Sequence, residues 1–394
     1  MIETETIPQL RNAREAKKFF SSCMKEIFLR EMKPRSKYAP GDIIRVIRNA
    51  IFMKEYVETY VRNSTLKHNP SGDTIFRMVK GIASESGSHK RSGSGNRKIV
   101  TNHEGMDSIS RLIDLSVKIA IVKGAFQKPV NVAIDEHDEP YFGMDNRYLI
   151  GVESHKFRGT KKAYRFATLE SVRKGERFAL SVMKRDQLDG IDGSGEVDML
   201  LRHAMSLGVK INMVLIDRGY IAADVFNKIE SLNLKYITPA KDNPKTLRFK
   251  SMEMKHSDDG FSYFTVKDMI SSGNEDAEST FVHVNYYPER KRHDFSFYTN
   301  MDVNEKNVRE LAEIYRKRWS IENGYQEKAG TKEKTHSPEM GVRYFFFFLS
   351  VLLYNLWILV NLIRLGSGYA WITLMDFLIA MSRGRWKIIM NDFG

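Results

Sequence analysis

The feature that most constrains this chain is a change of hydrophobic period near residue 129. Before it the apolar residues recur at helical spacing; from Pro129 the pattern becomes that of short strands, and later strands and helices alternate. Pro129 to Ile134 (PVNVAI), Arg147 to Val152, Tyr164 to Leu169 and Phe178 to Val182 read as strands. Then Gly195 to Leu207 reads as a helix, Lys210 to Ile216 (KINMVLI) as a buried strand, Ala222 to Leu232 as a helix and Lys235 to Pro239 as a strand. Antiparallel strands followed by α/β alternation is the order of a ribonuclease H-like α/β core. Between about Lys241 and Asn300 the helical pattern vanishes. Phe261 to Val266, Thr280 to Tyr287 and Asp294 to Thr299 read as strands of a β-rich insertion, with polar runs such as Ser271 to Ser279 between them. Helical pattern returns at Asn304.

These patterns divide the chain into an N-terminal helical domain (1–83), a Gly/Ser/basic linker (84–104), a first part of the core (105–240), the β-rich insertion (241–303) and C-terminal core helices (304–394). In the first domain, Asp42 to Arg62 reads as a helix with Asp42 as its N-cap, and Asp73 as the cap of a shorter basic helix. Helix, turn and short basic helix is compatible with a helix-turn-helix reader of a major groove. Tyr344 to Ile363 is 20 residues without a charge, long enough to cross a bilayer. Ser350, Asn355 and Asn361 within it, and the lack of a second such span, point to a buried core helix and no membrane.

Charge identifies the class of partner. The chain has 62 Lys+Arg against 49 Asp+Glu, net +13. The first 100 residues hold 20 basic and 10 acidic groups, so +10 of that excess is N-terminal, as a polyanion-binding region would have it. The single cysteine, Cys23, excludes an internal disulfide and any multi-cysteine metal site. With no signal-peptide pattern, the expected setting is cytoplasmic, on the nucleoid. No H-x-H pair occurs among the ten histidines, which argues against a two-histidine replicative nuclease.

Three acids stand out by position. Asp135 ends the first core strand, Asp217 ends the buried strand KINMVLI, and Glu322 lies in the helical IYRKRWSIENGYQEK. Strand C-terminal ends are where open α/β sheets place ligands. Carboxylates gathered at one point repel, and hard cations such as Mg²⁺ relieve that by binding them. His137 and Asp138, just beyond Asp135, are either groups supporting such a site or part of a surface turn before Pro140.

Tyr315, Arg318 and Glu322 form a Y-x2-R-x3-E pattern, and Arg318 to Glu322 reads R-W-S-I-E. With AIDEHDEPYFG and LIDRGY upstream, this resembles the DDE transposases of insertion sequences, over roughly residues 129–365. The resemblance implies catalytic, metal-binding Asp135, Asp217 and Glu322, with Mg²⁺ or Mn²⁺ as cofactor, two ions in all. It implies phosphate contacts from Tyr315 and Arg318. The family's final lysine falls seven residues after the Glu, where this chain has Ala329; Lys328, one residue earlier, is the candidate for that role. Trp319 is a candidate to stack on an unpaired base. The implied partners are double-stranded DNA, both element ends and target, and a second copy of the chain in a homodimer on DNA. A stand-alone metal-dependent nuclease and a non-catalytic DNA-binding derivative remain the alternatives.

Overall fold

In a computed structural model, the described residues are 10–32, 36–53, 55–64, 69–83, 104–153, 156–173, 176–185, 191–256, 261–286, 293–318, 335 and 337–383. The expected linker falls outside them, apart from its last residue. The chain forms two compact units, Met1–Ala125 with Tyr325–Gly394, and Phe126–Gly324.

The first unit is helical: α1 (Ala13–Glu31), α2 (Pro40–Met53), α3 (Val57–Asn63), α4 (Gly72–Ala83), α5 (Glu104–Val122), α10 (Met340–Gly366) and α11 (Leu374–Arg383). Asn12 caps α1, its side chain accepting from the amides of Arg14 and Glu15 at 3.0 Å each. The Asp42–Arg62 stretch is two helices rather than one, broken between Met53 and Val57. Asp42 is not the N-cap. It sits inside the first turn of α2 and reaches back to the Ala39 amide (3.0 Å), as the acidic half of a capping box does. Ser71, not Asp73, bonds the first turn of α4, through the Thr74 amide at 3.2 Å.

The uncharged C-terminal run forms α10, a helix long and apolar enough to cross a membrane, and 89% of its most apolar window is buried within the protein. It packs on α1, α4 and α5. Phe345 meets Phe28 edge-on, and Phe346 does the same with Phe76. Its polar residues are satisfied where they are buried: Asn355 donates to Ser116 of α5 (3.1 Å), and Asn361 to the Ile372 carbonyl (3.1 Å).

The second unit is built on one ten-stranded sheet. Its strands are β1 (Val130–Pro140), β2 (Ile150–Gly151), β3 (Lys162–Arg173), β4 (Glu176–Arg185), β5 (Ile211–Leu215), β6 (Lys235–Pro239), β7 (Lys255–His256), β8 (Ser262–Ser272), β9 (Glu275–Tyr286) and β10 (His293–Thr299). β3 pairs antiparallel with β1 on one side and with β4 and β2 on the other. β5 and β6 continue from β1 in parallel, joined by α7 (Ala223–Ser231), and α6 (Gly193–Ser206) precedes β5. This is the ribonuclease H-like order. The β-rich insertion extends the same sheet: β10 pairs antiparallel with β6, followed by β9, β8 and β7. The polar run at 271–279 is the tip of the β8–β9 hairpin, where Gly273 takes φ +56°. α8 (Pro244–Lys250) leads into the insertion and α9 (Val308–Arg318) follows it.

Candidate active site

Strand register places the two aspartates. β1 and β5 run parallel with Ala133 opposite Leu215, and Asp135 and Asp217 each lie two residues further on. Asp217 lies just past the end of β5, where the backbone stays extended and the Ile216 amide donates to the Ile237 carbonyl (3.1 Å). Alternation therefore carries both aspartates to the Ala133 and Leu215 face, beyond the last paired residues of strands roughly 5 Å apart. Asp217 keeps an extended backbone (φ −83°, ψ 168°) before the 3₁₀ turn Arg218–Tyr220. Its carbonyl accepts from the Tyr220 amide (3.0 Å) and from Thr238 Oγ1 (3.3 Å). Asp217 is exposed and Asp135 half-buried.

Asp135 does not end its strand. Pairing with β5 stops at Ala133, but pairing with β3 continues to Pro140, with Asp135 opposite Thr168. His137 and Asp138 are therefore strand residues rather than a surface turn. Asp138, on the opposite face from Asp135, is buried and bound by Arg165 through two bonds (2.7 and 2.9 Å) and by Lys156 (2.7 Å). Burial works to raise its pKa, but the bonds from Arg165 and Lys156 outweigh that and hold it below the usual carboxylate range.

The register also locates α9. Leu215 pairs with Ile237, and Phe297 of β10 with Pro239 of β6, so Phe297 shares the aspartates' face. Tyr315 stacks on Phe297 (5.6 Å, 24°) and on Phe295 (4.8 Å, 6°). The helix carrying Tyr315 and Arg318 thus lies on the side of the sheet to which Asp135 and Asp217 belong. The Tyr315 ring is buried in that aromatic stack, which anchors α9 to the insertion. Trp319, Glu322 and Lys328 lie outside the described residues.

Carboxylate oxygens are the donor type that hard divalent cations such as Mg²⁺ or Mn²⁺ take, so the chemistry of Asp135 and Asp217 fits such an ion. Among the described residues no three of His, Cys, Asp and Glu gather into a metal-binding group.

The opposite face of β1 carries a charge network that sequence reasoning missed, apart from Asp138. Glu136 contacts Arg165 (2.8 Å) and Arg185 (2.5 Å), and Arg185 also approaches Glu196 of α6 (3.5 Å). Glu196 accepts a hydrogen bond from the Tyr220 hydroxyl. Burial, reinforced by Glu136, pushes the Glu196 pKa up to about 7 against the opposing pull of Tyr220 and Arg185. Its one trace in sequence is the i, i+2 spacing of Glu136 and Asp138, which puts two acids on one strand face.

Residues 195–356 match the family model described as a transposase DDE domain. No curated protein matches the chain in sequence. Among solved structures, a piggyBac transposase synaptic complex with hairpin DNA is similar at TM-score 0.58 and 11% identity, over 96% of this chain and 81% of that one. The NurA nuclease from Sulfolobus solfataricus covers 54% of this chain and 82% of its own at 14% identity, but a TM-score of 0.26 carries no argument. The chain resembles the DDE transposases in sequence across 195–356, and its overall fold is similar to that of a piggyBac transposase over nearly its whole length.

Proposed function

We propose that this protein is a DNA transposase that binds the ends of its own element, hydrolyses phosphodiester bonds there and transfers the freed 3′-hydroxyls to target DNA. The observation that carries the reading is the parallel pairing of β1 and β5 up to Ala133 and Leu215, each two residues short of one of the aspartates, with α9 packed on the Phe297 side of the same sheet. The transposase DDE domain match over 195–356 supports it independently. Asp135, Asp217 and Glu322 would hold Mg²⁺ or Mn²⁺, which when bound supplies an activated water or 3′-hydroxyl and charge stabilisation at the leaving oxygen.

The chain's own groups do the positioning. Carried on neighbouring parallel strands, the two carboxylates would meet a phosphate as a preset pair rather than as side chains that must reorganise. Arg318 suits bidentate contact with phosphate oxygens. Tyr315 fixes the helix that ends at Arg318, and Trp319 and Lys328 follow it in the chain. The basic N-terminal region would hold the element ends through phosphate contacts, in a homodimer that brings two ends together.

The test is cleavage and joining of labelled DNA carrying the gene's flanking ends, with Mg²⁺ or Mn²⁺. Wild type should cut and join, while Asp135→Asn, Asp217→Asn and Glu322→Gln should bind but do neither. Cutting without joining would favour the nuclease alternative, and binding without wild-type chemistry the non-catalytic one. Binding should weaken steeply with salt; a flat response would remove the phosphate-contact role of the N-terminal region.

A further inference from the structure

A buried polar bond ties the turn that carries Asp217 to α6. Tyr220, three residues after Asp217, closes the 3₁₀ turn and sends its hydroxyl to Glu196. Both residues are buried, Glu196 fully. Glu196 stands in the first turn of α6, and Arg185 of β4 lies 3.5 Å from its second carboxylate oxygen. Arg185 also binds Glu136, the residue next to Asp135, and Glu136 binds Arg165, which holds Asp138. A continuous path of polar contacts therefore runs from the Asp217 turn through α6 and β4 to the back of β1 beside Asp135.

We infer that Glu196 and Tyr220 are positioning residues, which brace the Asp217 turn against the Glu136 face of β1 and so hold the separation of the two aspartates. The role rests on the function proposed above, since only chemistry at Asp135 and Asp217 makes their spacing matter. Two observations favour it over plain core filling. A buried carboxylate is a costly filler, and an apolar side chain of similar volume often serves stability as well or better. The path also ends at Glu136, next to Asp135, and at Tyr220, whose amide bonds the Asp217 carbonyl (3.0 Å). Reacting groups need placement to within about half an ångström, which supporting hydrogen bonds supply. The raised Glu196 pKa fits a carboxyl kept buried despite its cost.

The experiment uses the full chain and two readouts: Mn²⁺ affinity by electron paramagnetic resonance without DNA, and the single-turnover cleavage rate on end-bearing DNA. Tyr220→Phe keeps the ring and removes the hydroxyl. It should weaken Mn²⁺ binding at least threefold and slow cleavage at least tenfold, with melting temperature and DNA affinity near wild type. Glu196→Gln keeps an acceptor for Tyr220 and should retain most of both, whereas Glu196→Ala should lose them. If Tyr220→Phe matches wild type in both readouts, or Glu196→Gln and Glu196→Ala are equally impaired, the positioning role is overturned. Should Tyr220→Phe fail to fold, the two Glu196 variants decide alone. A wild type that neither binds Mn²⁺ through Asp135 and Asp217 nor cuts DNA overturns the proposed function, and the positioning role with it.

Discussion

The two faces of β1 put the same chemical group to opposite uses. On one, Asp135 is half-buried and shares its face with the exposed Asp217. On the other, Glu136 and Asp138 are tied to Arg165, Arg185 and Lys156. Carboxylates neutralised by guanidinium groups inside the protein hold strands and a helix in register. Those with more access to solvent, where the β1–β5 ladder ends, are the ones proposed to take a cation and a phosphate. A strand changes face at every residue, so both sets fit within the four positions from Asp135 to Asp138.

The contrast predicts opposite phenotypes. On the proposed function, Asp135→Asn and Asp217→Asn should lower cleavage by about 10³-fold or more, since each would remove a ligand of the proposed metal site. Their stability should stay within about 0.5 kcal/mol of wild type, as for substitutions outside the core. Urea unfolding alongside the cleavage assay checks both, and loss of folding in either variant would break the contrast.

Arg165→Met should do the reverse. It strips the two-bond partner from a buried Asp138 and leaves it Lys156 alone, so it should cost about 1.5–3 kcal/mol in urea unfolding, the usual worth of hydrogen bonds to a charged group. A loss below about 1 kcal/mol would mean that this face is not held by its ion pairs.

pH separates members of the network. Asp138 has a folded-state pKa below its ordinary 3.8, so its stabilisation is present above that value and is lost as pH falls through the folded one. Glu196, raised to about 7 from 4.5, has the opposite sign: the native state binds the extra proton, so its contribution declines as pH rises from about 4.5 to 7. Glu196→Gln should therefore gain melting temperature relative to wild type as pH rises across that window. A constant difference would show that Glu196 titrates normally.

The smallest effect belongs to the Lys267–Glu278 pair on the β8–β9 hairpin, 3.1 Å apart with both side chains more than half exposed. Lys267→Ala should change stability by less than about 0.5 kcal/mol, since solvent screens such pairs. A larger loss would mean that exposed pairs also carry the sheet.

Much of this was legible in the chain, because local rules suffice for it. Lys235 to Pro239 is a strand with the bounds the apolar run implies, and KINMVLI contains β5. The strands of the insertion were also recoverable from alternation. Their partners were not. That β10 joins β6, so that the insertion continues the core sheet, follows from hydrogen bonding between segments about 60 residues apart. β1 outran its apolar signal because polar residues 135–139 keep their ladder with β3. Asp42 was misread as a cap because composition marks a helix start only to within a residue or two.

The sequence by itself determined the order of elements, the positions of Asp135 and Asp217 at the ends of apolar runs, and the basic excess of the first hundred residues. All of these depend on neighbours in the chain or on composition. Only the tertiary structure decided that the two aspartates share one face, that Tyr315 anchors its helix to that face, and that Glu196 grips Tyr220 behind it. Those contacts join residues 18 to 82 positions apart, and which distant strands pair is a property of the whole sheet rather than of any window.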